Sequence, residues 1–586
     1  MTRHWRSATA VLAAILPAVL LAGCGLPLAG GVHRAGEVPA DQRLPQPISV
    51  LPPGPQPGAP PEGIVTGFLV AQGSARDDHG IARSFLAPPA RAAWRAGAGV
   101  TVYDPRTVTT ATPIPDGDGF VQVTLDLDVV GTVEADGAAR VQPAQRRSLR
   151  YRLHRGDAGQ WQLVAVPDGL TLSPAARDRS YDAMAVHFLA PGGAPGGRHL
   201  VADLVQLPAD GDRAREVVDR LLAGPSSALA GSVETALPRG TRLHAPVTTT
   251  TGGEVTVDLT GPAAAMSGQT GADLSAQVVF TLREALPAFS RLRLLVDGEL
   301  LVVPGATQPQ PRTAWPSYAP DGPAKLPAGV ALVGGQLRSL SPDGNERPTE
   351  PPADVAGVLD LAVDARQPRV AVLTGEDSTR TLRTGRFSGP LTPGLQDPGL
   401  RSPSWGSGEL GLWLLRTGAR PAVLLVPPTA GAIPVEVQVD ALPALDGNAL
   451  LRVSRDGTRV ALVAGRVLFV GRLEFNGRRP HLVALRRLAT GVLDVAWQTG
   501  TTLEALVEDT EPPLLPLLRL SVDGTSAQFS GLVGGEGGQP AAIAAFGDQP
   551  LLVETRTGTR STIFSGDVGT AFEVRLRDAA RPSYPR

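Results

Sequence analysis

Apolar and polar residues change their spacing several times along the chain, and each change predicts a boundary. Residues 1–23 contain a nearly continuous apolar run, and residues 24–61 are dominated by proline and glycine without a period. Residues 62–180 and 181–310 combine helical spacing of apolar residues with alternation, which is typical of α+β domains. Residues 325–586 contain short alternating runs separated by turn residues. The pattern predicts a multidomain chain, with two α+β domains followed by an all-β domain.

The first segment has the order of a secretory signal peptide. A short basic end precedes the apolar run at residues 8–21, which is shorter than the about 20 residues of a membrane span. The run closes with Leu21, Ala22, Gly23 and Cys24. This end resembles the bacterial lipobox, in which small residues precede a cysteine that is lipidated before cleavage. The resemblance implies N-palmitoyl and S-diacylglycerol groups on Cys24, which would anchor the chain to the cell membrane on its extracytoplasmic face.

The segment 24–61 is predicted to be an extended spacer. Residues 51–61 read Leu-Pro-Pro-Gly-Pro-Gln-Pro-Gly-Ala-Pro-Pro, a composition that cannot bury enough apolar area to fold. A tether of this kind fits a lipid anchor, because it would hold the following domains away from the membrane. The alternative is an irregular loop that packs on the first domain.

The first α+β domain, residues 62–180, begins with helices and continues with strands. Apolar residues repeat at helical spacing from Ile64 to Leu69 and again around Phe85. Alternating runs then predict strands at 120–130, 147–153 and 160–166. Helices followed by a curved antiparallel sheet resemble the NTF2-like or cystatin-like class. His79 and His154 are the nearby histidines, and His154, at the end of a strand, is interpreted as a surface residue and not as a catalytic one.

The second α+β domain, residues 181–310, has a more specific signature. The predicted elements are a strand at 199–207, a helix at 213–222 that Gly224 and Pro225 stop, a strand at 254–259, a helix at 273–286 and a hairpin at 291–298. This order resembles the GerMN domain, which occurs in a spore-germination protein and in actinobacterial lipoproteins.

The all-β domain repeats a similar strand at a regular interval. The repeated strands begin at Val358, Leu400, Ala449, Val492 and Pro540. Their separations of roughly 42–49 residues match the period of four-stranded propeller blades. We therefore predict a β-propeller of five to seven blades, closed by pairing of residues 572–576 with residues 330–333. The alternative is an array of β-sandwiches, which would place turns closer together and less regularly.

Composition limits the chemistry that the chain can perform. Lys+Arg is 54 and Asp+Glu is 56, a balance that argues against an electrostatic nucleic-acid binder. The single cysteine, Cys24, excludes an intrachain disulfide and a cysteine-based metal site. No two of the eight histidines have the spacing of a helical zinc site, and no P-loop or nucleophile elbow is present. We predict no catalytic residues, no metal and no cofactor, and hence no enzyme.

Three patterns imitate functional motifs. Residues 406–411 match a dinucleotide-binding string, but the run that follows is β-like, so we predict a propeller turn. Asp126 and Asp128 share one face of a strand, which we interpret as a solvated face. Three Ser-x-Asp-Gly segments could suggest calcium loops, but their glycines explain them as tight turns. The aspartates of these segments are Asp343, Asp456 and Asp523.

The order of lipobox, tether, α+β domain, GerMN-like domain and propeller resembles the LpqB family of actinobacterial lipoproteins over nearly the whole chain. The resemblance implies an accessory of the MtrA–MtrB two-component system, one that binds the outward-facing sensor domain of the histidine kinase MtrB. Such an accessory would affect cell-envelope homeostasis and division. Our hypothesis is that one of the α+β domains contacts the kinase and that the propeller acts as a scaffold.

Two other functions remain open from the residues. An extracytoplasmic propeller enzyme would need a cluster of His, Asp or Arg in the central channel, and the propeller contains one histidine, His481. A scaffold that binds cell wall or saccharide would need exposed aromatic residues. The tryptophans Trp405, Trp413 and Trp497 instead lie in strand-like runs.

Overall fold

The computed structural model describes residues 51–585 with short gaps. The gaps are residues 157–158, 192–197, 321–328, 341–345, 349–355, 365–368, 377–378, 388, 407–409, 428–432, 478, 509–514 and 534–537. The predicted signal peptide, the lipobox with Cys24, most of the tether and the turn at Asp343 therefore lie outside the described residues. Within the described part, no helix has the length and apolar character needed to cross a membrane.

The N-terminal domain packs three helices on a mixed sheet. The helices are α1 (Pro61–Ala71), α2 (Arg76–Ser84) and α3 (Pro88–Ala93). The strands are β1 (Gly99–Thr110), β2 (Ile114–Pro115), β3 (Phe120–Glu134), β4 (Ala139–Arg155), β5 (Trp161–Ala165) and β6 (Leu170–Leu172). The sheet order is β5-β4-β3-β1-β6, and β6 runs parallel to β1. The sequence predicted an antiparallel sheet, so the prediction was wrong for this edge strand. A further helix, α4 (Pro174–Ser180), leads to the next domain.

Helix α1 forms because Pro61 fits its first turn and because its apolar residues repeat on one face. That face is buried against the sheet, where Phe68 meets Trp94 and Tyr151 in edge-to-face contacts. Residues 51–60 lack helix and strand, and the carbonyl of Gln56 accepts a long hydrogen bond of 3.5 Å from Gln160. This end of the proline-rich segment thus contacts the first domain.

The second domain joins a two-stranded ribbon to a small mixed sheet. The ribbon is β7 (Tyr181–Leu189) with β8 (Leu200–Pro208), followed by α5 (Arg213–Leu222). The sheet contains β9 (Thr248–Thr249), β10 (Glu254–Leu259), β11 (Arg291–Val296), β12 (Glu299–Leu300) and β13 (Gln310–Pro311). Helix α6 (Gly268–Ala285) connects β10 to the parallel β11. It begins five residues before the predicted start, because Ser267 and Thr270 form a capping box.

Helix α6 is buried on nearly all sides, so its polar residues must find partners inside the domain. Gln277 donates to the carbonyl of His187 at 2.9 Å, and Thr281 accepts from the backbone N–H of His187 at 3.0 Å. These bonds fix α6 against β7. They also hold the imidazole of His187 in a fully enclosed place beside Phe280.

The buried imidazole predicts a dependence of stability on pH. Desolvation, followed by the charge of Arg283, lowers the pKa of His187 to about 3, below the ordinary 6.5. Neutral His187 therefore favours the folded state, and its contribution is complete above pH 6.5 and is lost as the pH falls towards 3. We expect the free energy of unfolding to fall by up to about 1.4 kcal/mol per pH unit through this residue.

Urea unfolding of the full chain at pH 7 and pH 5, compared with His187→Leu, measures the effect. The variant is expected to lose part of the pH dependence, because leucine carries no proton in either state. If the free energy of unfolding changes equally with pH in the two proteins, the prediction is contradicted.

The C-terminal domain contains six described sheets, arranged as the blades of a propeller. The first blade has β14 (Gly329–Val333), β15 (Gln336–Leu340) and β16 (Glu346–Pro348), and the second has β17 (Val358–Val363), β18 (Arg369–Glu376), β19 (Thr379–Arg386) and β20 (Leu391–Gln396). The third has β21 (Leu400–Trp405), β22 (Leu412–Arg416), β23 (Ala422–Val426) and β24 (Val435–Glu436). The fourth has β25 (Gln438–Val439), β26 (Leu450–Val453), β27 (Arg459–Ala464), β28 (Val467–Asn476) and β29 (Arg479–Thr490).

The remaining strands complete two more blades and the first one. The fifth blade has β30 (Val492–Trp497), β31 (Thr502–Val507), β32 (Leu515–Ser521) and β33 (Ala527–Val533). The sixth has β34 (Gln539–Ala544), β35 (Leu551–Thr557), β36 (Arg560–Gly566) and β37 (Glu573–Arg577), and β38 (Ala579–Ser583) joins the first blade. The five repeated segments of the sequence form the inner strands β17, β21, β26, β30 and β34, and these pack beside one another in a ring with β38. The propeller therefore has six blades, and the β-sandwich alternative is wrong.

The closure of the ring differs from the predicted one. Strand β38 pairs antiparallel with β14, so that Ala579 lies opposite Val333 and Ser583 lies opposite Val330. Residues 573–576 instead belong to β37, the outer strand of the sixth blade, and residue 572 directly precedes it. The prediction was wrong because residues 572–576 contain the apolar residues expected of a strand. The true closing strand reads Ala-Ala-Arg-Pro-Ser and has no apolar alternation.

Candidate functional site

The three domains meet where strand β8 lies against two turns of the propeller. One turn, residues 454–458, joins β26 to β27, and the other, residues 521–526, joins β32 to β33. Leu204 of β8 packs on a cluster of buried propeller residues that includes Val470 and Val522. The junction is therefore partly apolar, and the two Ser-x-Asp-Gly turns that the sequence singled out make polar contacts there.

In the first turn, the carboxylate of Asp456 is enclosed by protein donors. Its Oδ1 accepts from the Ser454 hydroxyl at 2.6 Å, from the Thr458 hydroxyl at 2.7 Å and from the Thr458 N–H at 2.9 Å. Its Oδ2 accepts from Arg459 at 3.2 Å. The same guanidinium donates to the carbonyl of Ala202 at 2.6 Å, and the His199 ring bonds the carbonyl of Asp456 at 3.0 Å. Asp456 thus stabilises the turn that contacts β8, and both of its carboxylate oxygens already accept hydrogen bonds from the protein.

The second turn repeats this construction. Asp523 Oδ1 accepts from the hydroxyl of Ser521 at 2.5 Å and from the hydroxyl of Thr525 at 2.9 Å. Its Oδ2 accepts from Gln206 of β8 at 3.0 Å. Arg177 of α4 donates to the carbonyl of Thr525 at 3.1 Å, so this turn contacts both α+β domains. Sequence reasoning explained Asp456 and Asp523 as turn residues but missed that both turns are interdomain contacts.

A cavity of about 280 Å³ remains at the junction, and charged residues line much of it. The charged residues are Arg140, Arg459, Arg472, Arg486, Asp203 and Asp523. Burial, and then the neighbouring Arg140, lower the pKa of Arg486. Burial raises the pKa of Asp203, although both of its carboxylate oxygens accept hydrogen bonds from Ser226. These charges belong to the contact between the domains.

A larger cavity of about 430 Å³ occupies the central channel of the propeller. The inner strand pairs of five blades contain a register shift, and these shifts lie at the residues that line the channel. A bulge of this kind re-aims side chains, which explains how polar residues of strands face the channel. The charged residues of the lining are Arg380, Arg401, Arg452, Arg466, Arg581, Asp360 and Asp494.

Some of these charges are paired. Asp494 is buried and accepts from the backbone N–H groups of Val495 and Ile543, at 2.8 and 2.9 Å, and from Arg452 at 3.4 Å. Burial raises the pKa of Asp494. Arg466 forms an exposed ion pair with Glu508. Asp494 and Arg452 therefore hold the inner strands together, and Arg466 is neutralised at the rim.

The other arginines have neutral partners. Arg380 donates to the carbonyl of Leu400 at 3.0 Å, and Arg401 donates to the hydroxyl of Thr417 at 3.2 Å. Burial lowers the pKa of both groups, and for Arg401 the Arg380 charge adds to the effect while Asp446 opposes it. Among the described residues, neither of these guanidinium groups, nor that of Arg581, has a carboxylate within ion-pair distance. The channel is thus a cationic cavity.

The other sequence candidates are not brought together. Asp126 and Asp128 lie half-buried on one strand face and bond Ser148 at 2.5 Å and Arg146 at 3.3 Å. His79 lies beside Trp94, and the ring of His154 lies 4.6 Å from that of Phe120. Within the described ranges, no three His, Cys, Asp or Glu residues are placed to hold a metal ion. Residues 407–409 of the dinucleotide-like string lie outside the described residues, and strand β22 follows the string.

The two alternative functions can be compared with these positions. Wall or saccharide binding through the propeller tryptophans loses its basis, because Trp405, Trp413 and Trp497 are buried. The indoles of Trp405 and Trp497 donate to backbone carbonyls of the preceding inner strands at 3.1 and 2.9 Å. The enzyme alternative required His, Asp or Arg in the channel. Arginine and aspartate are present there, whereas no histidine belongs to the lining.

Fold and sites together define a modular protein with two α+β domains docked on a six-bladed propeller. Its residues 54–178 match the family model of the LpqB N-terminal domain, residues 185–302 match a model described as sporulation and spore germination, and residues 335–558 match the LpqB propeller model. The chain belongs to the LpqB lipoprotein family, which is not a known enzyme family.

Relatives in actinobacteria align along almost the entire chain. The LpqB lipoprotein of Thermobifida fusca is 28% identical and covers 99% of both chains. That of Cutibacterium acnes is 27% identical over 96% of this chain and 95% of its own. Among solved structures, the tandem GerMN domains of GerM from Bacillus subtilis align with 26% of this chain and 54% of that one, at 17% identity and a TM-score of 0.20.

Proposed function

We propose that this protein is a lipoprotein anchored through Cys24 on the extracytoplasmic face of the cell membrane, where it acts as an accessory of the MtrA–MtrB two-component system. The observation that carries the proposal is the order of the three family modules behind a lone cysteine. Two or more acyl chains on this cysteine give stable membrane attachment, which one chain does not. Attachment also raises the local concentration of the domains near a membrane partner.

The partner that the family resemblance suggests is the sensor domain of the kinase MtrB. The α+β domains offer exposed apolar side chains for such a contact, namely Val70 on α1 and Val302 beyond β12, which are 59% and 74% exposed. The propeller contacts these domains through the turns of its fourth and fifth blades. In this proposal the propeller acts as a scaffold and one of the two α+β domains binds the kinase.

Photo-crosslinking in cells tests the proposal on the full chain. A photoreactive amino acid at Val70 or Val302 is expected to capture MtrB, whereas the same group at Ile433 of the propeller, which is 84% exposed, serves as the matched control. The Cys24→Ser chain is expected to leave the membrane fraction and to lose most of the capture. Capture of no sensor kinase from any position would exclude MtrB as the partner, and capture from Ile433 alone would assign binding to the propeller.

A further inference from the structure

We propose that the central channel of the propeller is a binding site for a small molecule that carries a phosphate group. The proposal rests on three observations about the channel: guanidinium groups without a carboxylate partner among the described residues, strained backbone at its lining, and the position of Arg380 and Arg401 at the ends of the blades away from the docking turns. It does not depend on the kinase contact, because the channel residues belong to the propeller alone.

The first observation is the charge of the cavity. Arg380, Arg401 and Arg581 are half-buried and have no carboxylate partner among the described residues. Asp360 is the acidic residue of the lining left to oppose them, and Asp446, outside the lining, acts on Arg401. Guanidinium groups that face one cavity repel each other, so an anion placed between them is stabilised. Their planar forks donate paired hydrogen bonds to phosphate oxygens, and a surplus of more than one charge favours a dianion.

The second observation is local backbone strain. Ser402 and Arg581 have φ values of 51° and 54°, in the left-handed region that residues other than glycine rarely occupy. Both line the cavity. The Ser402 hydroxyl is held by Leu451, whose N–H donates to it at 2.8 Å, and by the guanidinium of Arg452. Strain of this kind persists where surrounding contacts fix it, and it is concentrated at binding sites.

The third observation is the position of Arg380 and Arg401. Arg401 comes from the beginning of the inner strand β21 and Arg380 from the beginning of β19, whereas Arg581 lies in the middle of β38. The docking turn at residues 454–458 instead follows the end of an inner strand, β26. Arg401 and Arg380 therefore lie at one end of the blades and the docking turn lies at the other. The α+β domains leave the end with the two arginines uncovered. A volume of about 430 Å³ is within the usual range for a small-molecule site.

Calorimetric titration of the purified full chain tests the proposal. The soluble probes are inorganic phosphate and glycerol 3-phosphate, with succinate as the carboxylate comparison, and vesicles of phosphatidylglycerol are compared with phosphatidylcholine. We expect saturable binding of a phosphate probe. Arg401→Gln should weaken it about tenfold or more, because a charge-assisted paired contact is lost. Arg386→Gln, which removes an exposed arginine from the far end of β19, is the matched control and should leave binding unchanged.

The possible outcomes are distinct. If a soluble phosphate binds and Arg401→Gln weakens the binding, the ligand is a free phosphorylated molecule. If only phosphatidylglycerol vesicles bind, and the binding depends on Arg401, the ligand is a lipid headgroup. Arg401→Lys keeps the charge without the fork, and it provides the test if the glutamine variant fails to fold. No binding by any phosphate probe, stronger binding of succinate, or equal loss in Arg386→Gln and Arg401→Gln would overturn the proposal.

Discussion

Deletion of residues 579–586 is expected to destabilise the propeller by about 5 kcal/mol or more, an amount comparable to the whole stability of a domain. The deletion removes β38 and so exposes the edge of β14, whose Val330 and Leu332 are buried. It also removes Tyr584, which is buried and donates to the carbonyl of Pro550 at 2.7 Å. The completely buried carboxylate of Glu554 also loses a hydrogen bond of 2.8 Å that it accepts from the backbone N–H of Arg581.

Denaturant unfolding followed by tryptophan fluorescence, together with limited proteolysis, measures this loss. The control is deletion of residues 585–586, which keeps β38 and Tyr584 and is expected to change stability by less than about 1 kcal/mol. The truncated chain should be cleaved within the propeller by concentrations of protease that leave the control intact. An unchanged unfolding midpoint after deletion of β38 would show that the ring is closed by other contacts.

Asp456→Ala is expected to cost about 3–5 kcal/mol and to loosen the contact between the propeller and β8. The carboxylate is 2% exposed and accepts four hydrogen bonds, so its removal leaves the Arg459 guanidinium as a buried charge without a counter-ion. Arg459 also carries the bond to Ala202, which places the damage at the domain contact. Hydrogen exchange of the backbone amides in β8 and in residues 454–459 should rise more than exchange elsewhere.

The surface ion pair of Arg466 and Glu508 supplies the control for this variant. Both side chains are about half exposed, so Glu508→Gln should change stability by less than about 1 kcal/mol. The double variant Asp456→Ala with Arg459→Met should recover part of the loss, because no unpaired charge remains. Exchange that rises uniformly through the chain would indicate global destabilisation and contradict a local role at the junction.

Much of the architecture could be predicted because each repeat buries its apolar residues in the same way. The inner strands at Val358, Leu400 and Val492 share a pattern since each packs on its neighbour in the ring. In the second domain, the helix Arg213–Leu222 was predicted to the residue, because its apolar face and the following Gly224 mark it unambiguously. Local spacing was sufficient in these places.

The closing strand and the channel could not be predicted in this way. Strand β38 is stabilised by a partner about 250 residues earlier and by Tyr584, and neither contact leaves a periodic trace in Ala-Ala-Arg-Pro-Ser. Arg380, Arg401 and Arg581 come from separate blades and line one cavity. Arg401 and Arg581 lie at bulges of the inner strands β21 and β38, and Arg380 reaches the cavity from β19. Likewise, no sequence pattern predicts the hydrogen bond between Gln206 and Asp523, which joins two domains.

The pairing of β14 with β38 also sets the order in which the chain can fold. The two α+β domains are complete by about residue 320 and are able to form while the rest of the chain is still being made or exported. The propeller is different, since its first blade lacks its inner strand until residue 583 is available. Five blades must therefore wait as an open arc with exposed strand edges, and a late, long-range closure completes the ring.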